Sequence, residues 1–250
     1  RITESKVMIM KTFDSTKIGL LDILEEVHCG KIQLPDFQRG WIWDDDRIKG
    51  IIASVAKSFP IGAIMLLETG NENVRFKTKP IEGVKLNDEV KPDLLILDGQ
   101  QRITSLYQTI MTNEVVTTRN EKNYEIKRWY YIDMKKAMDD SHDLEEAITS
   151  INEKKQITED FGRRIILDLS KKEYEFENLM YPLSMIRDYS VWRREFNEYW
   201  QYDREKSIFW DKFEGKIINS FNKYMIPVII MKKENPKEAV CQVFEKVNTG

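Results

Sequence analysis

The stretch LLILDGQQRITSL, residues 94–106, decides how the chain is read. Leu94 to Leu97 form an apolar run of buried-strand length. Asp98-Gly99 is a turn signal. Ile103, Leu106, Tyr107 and Ile110 then recur at the spacing of one helix face. A strand that ends in a glycine turn and feeds a helix exposes the helix's free backbone N–H groups. The macrodipole adds partial positive charge at the same place, and the two together suit a phosphate. Gly99 allows positive φ or close backbone approach. Arg102 falls in the first turn, with a planar fork of donors that matches phosphate oxygens. Gln100 and Gln101 supply neutral donors and acceptors. Asp98, at the strand's end, can cap the helix or reach a magnesium ion held by phosphates. In the plainer reading Asp98-Gly99 is only a turn and Arg102 only pairs a surface acid. No GxxxxGK[ST] loop occurs in the chain.

A second stretch has a similar character. LPDFQRGWIWDDDR, residues 34–47, places Gln38-Arg39 after an extended segment and a turn. Two arginines from separate turns, Arg39 and Arg102, can bracket one polyanion. Trp41 and Trp43 can cover a base, but core filling is the commoner use of such rings. Asp44 suits a helix N-cap, with Asp45 and Asp46 in the favourable first turn; a metal cluster is the rival use of the three acids. A third stretch, VFEKVNTG (243–250), ends a helix at Asn248-Thr249, which either cap it or point toward a site.

The remaining chain reads as mixed α and β. Helices are expected over 15–28 and from Asp44 to Pro60, the latter with Ile48, Ile51, Ile52, Val55 and Phe59 as its buried stripe. Strands are expected at 32–34, 62–68, 94–97, 129–133 and 225–231. Two helices are expected over 186–224 and a last one after Pro236. Residues 134–164 are charged, with only a weak helical pattern. The order lacks regular βαβ alternation, so the fold class is α+β. A division into 1–133, an extension over 134–185 and a helical part with a return strand over 186–250 follows from this reading.

Composition removes several classes of function. The net charge of −3 excludes a globally basic nucleic-acid binder, although 39 Lys and Arg residues leave room for a local patch. Cys29 and Cys241 offer no disulfide framework and no metal-ligand spacing, which fits a reducing cytoplasmic setting. No apolar run approaches the ~18 residues of a membrane span. The sequence stops just after a turn signal, Asn248-Thr249-Gly250, which suggests that a C-terminal portion follows. His28-Cys29 is too short a pair for a ligand set or a nucleophile–base couple. Arg193 and Arg194 alternate with acids and aromatics, as a solvated helix face does.

Taken in order, QLPDFQRGWIW, LDGQQRITSL and VFEKVNTG resemble the N-terminal domain of GmrSD-type restriction enzymes over roughly residues 13–250. The resemblance implies a ParB/sulfiredoxin-like mixed sheet core with flanking helices and a helical C-terminal part. It implies binding and hydrolysis of a nucleoside triphosphate with Mg²⁺, in defence against foreign or modified DNA. Carried over by position, Asp98, Gly99, Gln100, Gln101 and Arg102 form the nucleotide motif. Gln38 and Arg39 form the partner loop, and Asn248 is a third contributor. Asp98 is the candidate metal ligand, and Asp98, Gln101 and Arg102 are the candidate catalytic residues. DNA is then a partner of the full-length protein, and a homodimer stays open. DNA cleavage in such enzymes belongs to a C-terminal HNH-type domain, and neither His28 nor His142 sits in a His-Asn-His arrangement. Two rival readings remain. One is a DNA-recognition module without catalysis. The other is a metal-dependent nuclease complete within this chain, using Asp98 with Asp44–Asp46.

Overall fold

Short apolar runs build the middle of the central sheet. The structure, a computed structural model, describes residues 12–71 and 76–248. Its first half runs β1 (Phe13–Gly19), α1 (Leu20–His28), β2 (Ile32–Pro35), α2 (Asp45–Ala56), β3 (Ile64–Glu68), β4 (Thr78–Lys79), β5 (Leu94–Asp98) and α3 (Gln100–Ile110). There follow β6 (Val116–Arg119), β7 (Glu125–Asp133), α4 (Met134–Met138), α5 (Leu144–Ala147), β8 (Ile148–Asn152), β9 (Gln156–Glu159) and β10 (Arg164–Asp168). The chain closes with α6 (Lys172–Asn178), β11 (Met180–Pro182), α7 (Tyr189–Tyr199), α8 (Arg204–Phe213), α9 (Asn219–Asn222), β12 (Met225–Met231) and α10 (Lys237–Asn248).

The main sheet has the order β1-β12-β3-β5-β2-β4. The pairs β12–β3 and β2–β5 are parallel; β1–β12, β3–β5 and β2–β4 are antiparallel. Successive side chains point to opposite faces. Ile64, Leu66 and Ile96 therefore join the large core with α1, α2 and α3, while Leu67, Leu95, Leu97 and Met231 form a smaller cluster with Val240 of α10. Both faces of the middle strands are covered, which is why IMLL and LLIL are apolar throughout. At one edge Lys232 pairs with Asp14 at 3.0 Å and with Glu68 at 2.8 Å, linking β1 to β3 beside the end of β12.

A second sheet is centred on β7. Arg128 pairs with both Val116 and Asn152, and Ile132 with both Tyr181 and Ile148. Strand β8 therefore occupies one edge of β7, with β6 and β11 on the other. Helix α2 joins this sheet to the first through Asp45, whose carboxylate accepts from Tyr130 Oη (2.8 Å) and Ser150 Oγ (2.6 Å). Around Tyr181, Trp192 and Trp210 an aromatic cluster continues the same core into α7 and α8; Trp192 stacks on Phe196 at 5.2 Å.

The α+β class is as the sequence indicates, and several elements differ from expectation. Residues 15–19 are strand, not helix: Phe13 to Gly19 zip in register onto Met231 to Met225, and α1 begins only at Leu20. Phe59 is not part of the buried stripe of α2. The helix stops at Ala56, Ser58 takes φ 56°, and Phe59 is left 57% exposed. Residues 134–164 hold the short helices α4 and α5, then β8 and β9, instead of a weak helix.

Candidate functional site

Strand β5 ends at Asp98, Gly99 takes φ 94°, and α3 starts at Gln100. Gly99 is the N-cap, so Asp98 does not cap the helix, and no side chain caps the first turn. The left-handed backbone explains the glycine: a Cβ there is strained and would lie 3.0 Å from Ile64 Cγ1. Asp98 pairs instead with Arg102 one turn on, its Oδ2 3.0 Å from Nη2. Arg102 Nη1 donates to the Ile61 carbonyl at 2.7 Å. Gly62, at φ 89°, makes room for this arrangement, because a Cβ would sit 2.4 Å from Nη1. The Arg102 side chain is thus braced and 19% exposed, whereas Asp98 is 44% exposed.

The loop from Asp36 to Trp43 lies across this turn and is stitched to it by three buried glutamines. Gln38 Nε2 donates to the carbonyls of Ile96 (2.8 Å) and Leu97 (3.2 Å). Gln100 Nε2 donates to the Arg39 carbonyl at 2.6 Å. Gln101 uses both ends of its amide: Nε2 donates to the Gly40 carbonyl at 3.1 Å, and Oε1 accepts from the Ile42 N–H at 2.9 Å. Trp41 Nε1 donates to Ser105 Oγ at 3.0 Å, and the Lys79 ammonium donates to the Gln38 carbonyl at 2.7 Å. Two stretches about sixty residues apart thereby become one surface. Arg39 stands on it exposed, with no hydrogen bond or ion pair from its guanidinium among the described residues.

Other candidates are placed elsewhere. Trp41 and Trp43 pack against the main core. Asp44 caps α2 by accepting from the Arg47 N–H at 2.9 Å, and Asp46 pairs with Lys49 at 2.7 Å. With Asp45 held by Tyr130 and Ser150, each acid of the DDD run has a structural partner. Among the described residues no three His, Cys, Asp or Glu side chains converge. The local metal cluster of the self-contained nuclease reading is therefore absent there. Asn248 closes α10, but its side chain lies outside the described part, as do Thr249 and Gly250. His28 Nδ1 is bonded to Tyr107 Oη at 2.8 Å, and His142 faces Glu146 on the surface. Arg193 pairs with Asp211 and Glu214, as a solvated helix face would.

The sequence reading missed Gly62, the Ile61 carbonyl and Lys79. Pro60-Ile61-Gly62 carries a visible turn signal, but only the packing of Arg102 reveals what the turn serves. No signal short of the fold marks Lys79.

Comparison with known proteins agrees with these motifs. Residues 20–250 match the family described as GmrSD restriction endonuclease, N-terminal domain. An uncharacterized protein of Methanocaldococcus jannaschii is 28% identical over 242 residues. That match covers 92% of this chain and 38% of the relative, so the chain spans well under half the length of the curated protein it matches. No helix among the described residues is long and apolar enough to cross a membrane.

Proposed function

Since this chain belongs to the family of GmrSD restriction endonuclease N-terminal domains, we propose that it is the nucleotide-binding, NTP-hydrolysing part of a DNA-restricting defence enzyme. The supporting observation is the stitching of the Gln38–Ile42 loop to the first turn of α3, with an uncommitted Arg39 on the shared surface.

In this reading Arg39 binds phosphate oxygens, and Arg102 adds the N–H groups that Asp98 and Ile61 leave unused. The uncapped start of α3 holds one phosphate through its backbone N–H groups and its dipole. Gln100 and Gln101 act on the loop, keeping Arg39 beside the helix; Gln101 is thus a positioning residue. Asn248 is retained as a contributor from α10. A magnesium ion bound with the nucleotide would supply charge neutralisation, and Asp98 is the residue to hold it. One accessible carboxylate suits an ion that keeps water and phosphate oxygens as its other ligands. The protein's own work is orientation and charge stabilisation of the leaving phosphate. DNA, foreign or modified, is the partner proposed for the whole protein. Its cleavage is assigned to another part of that protein, since His28 and His142 are engaged elsewhere.

A thermal-shift screen of ATP, GTP, CTP and UTP with magnesium, followed by a phosphate-release assay, tests the reading. Binding to the folded state raises the melting temperature by mass action. A shift with at least one nucleotide and phosphate release from it are expected. No shift with any of the four would reject the reading. A matching loss of affinity as salt rises, with DNA alone as ligand, would favour the DNA-recognition alternative.

A further inference from the structure

The other end of α3 faces a cavity of about 190 Å³ between that helix, β7 and α6. Gln108 and Thr109 line it from α3, and Thr112 from just beyond the helix end. Helix α3 is eleven residues long, so its two ends lie about 15 Å apart along the axis. The cavity is therefore not part of the surface described above.

Its floor is the carboxylate of Glu175, a residue only 5% exposed. Oε1 accepts from Tyr131 Oη at 3.1 Å and Oε2 from Trp192 Nε1 at 3.3 Å. Both donors are neutral, and a carboxylate offers about four acceptor sites, so half its capacity is unspent. Burial pushes the Glu175 carboxyl up from its ordinary value, and Lys155 and Lys172 act in the opposite direction. Trp129, Tyr130 and Tyr131 bring aromatic surface to the walls. Both lysines line the cavity. Lys172 is paired with Glu195. Among the described residues Lys155 makes no ion pair; its ammonium rests 4.5 Å above the Trp129 ring.

The order of chemistry from floor to rim is acceptor, aromatic wall, cation. A ligand that fits it has N–H donors at one end, a flat middle and a negative charge at the other. We propose that this cavity binds one nucleotide unit, with base N–H groups toward Glu175, the ring beside Trp129 and a phosphate drawn to Lys155. Lys155 then leaves the Trp129 face for the phosphate, and the base takes its place, since aromatic faces stack bases of any sequence. Space of this size holds about six waters or one flat heterocycle. The same chemistry is offered by a free nucleotide and by a nucleotide within a single DNA strand. The proposal stands apart from the reading of the α3 start and does not rest on it.

Calorimetry without magnesium tests it, using the four nucleoside monophosphates and, separately, single strands of ten identical nucleotides. Saturable binding of at least one probe is expected. Lys155→Ala should weaken it about tenfold, the scale of a lost charge-assisted bond, and Glu175→Gln should weaken it as well. The titrations are made in an Arg39→Ala background, so that phosphate binding beside the start of α3 does not contribute. Binding of monophosphates assigns a free nucleotide, and binding of strands alone assigns a nucleotide within DNA. Absence of saturable binding with every probe would overturn the proposal. So would an affinity that survives Lys155→Ala in that background. Among the described residues the Lys155 ammonium is engaged only by the Trp129 ring, so its variant decides the matter even if Glu175→Gln folds poorly.

Discussion

Gln101 shows how much of the candidate site is built from side-chain amides bonded to backbone. Its two bonds, to Gly40 and Ile42, hold a loop whose sequence lies sixty residues away. A buried donor or acceptor left without its partner costs about 1–3 kcal/mol. Gln101→Ala should therefore lower stability by about that amount in urea denaturation, and a loss below about 0.5 kcal/mol, within the range of an ordinary surface change, would show that the staple is dispensable. The sequence made Asp98, Gly99 and Arg102 legible as a turn with an arginine in the following helix. It also made Gln38-Arg39 legible as a related loop. What the glutamines bond to was not legible, because backbone partners carry no residue signature. Nor was the division of labour between the arginines: Arg102 is braced by Asp98 and Ile61, and the Arg39 guanidinium has no hydrogen bond or ion pair among the described residues.

At the scale of elements, α6 carries a testable consequence of burying a carboxylate. The Glu175 carboxyl titrates above its ordinary value because burial disfavours the charge. The folded state therefore holds its proton more tightly than the unfolded state. Folding stability is highest with respect to this group below the unfolded value, about 4.3, and declines as pH rises from there through the raised folded value. Glu175→Gln removes that decline. Urea midpoints measured from about pH 4 to about pH 8 should fall more steeply with rising pH for the unmodified chain than for the variant. Parallel curves would refute the assignment. Element reading from sequence succeeded where a short apolar run stands between polar or turn-forming residues, as in IMLL, LLIL and MIPVIIM. It failed where pairing overrides local pattern. Residues 15–19 continue the spacing of α1 on paper yet zip onto β12. The strands β6, β8, β9, β10 and β11 are short or polar and gain their structure from β7 and from each other.

For the whole molecule, one core runs from Ile64 and Ile96 in the first sheet, through Tyr130 and Ile132 in the second, to Trp192 and Trp210 in the helical part. Unfolding should then be a single cooperative event. Tryptophan fluorescence, which reports Trp41 and Trp43 before α2, Trp129 in β7 and Trp192, Trp200 and Trp210 in the α7–α8 region, and far-ultraviolet circular dichroism should give coincident urea transitions. Separated transitions would mean that the second sheet and its helices unfold on their own. The α+β class was legible because helical and strand periods are interspersed without βαβ regularity. The strand order was not, since β12 returns from the far end of the chain to lie between β1 and β3.

Arg39 allows the most direct test of the proposed function, because its guanidinium makes no hydrogen bond or ion pair among the described residues and its removal should leave the fold intact. Calorimetric titration of the unmodified chain and of Arg39→Ala, each with the nucleoside triphosphate that gives the largest thermal shift, measures its part in phosphate binding. An unchanged melting temperature without ligand is expected, together with a loss of about 1.5–3 kcal/mol in binding, the scale of hydrogen bonds to charged groups. Equal affinity of the two proteins for that nucleotide would contradict a phosphate site formed where the Gln38–Ile42 loop meets the start of α3.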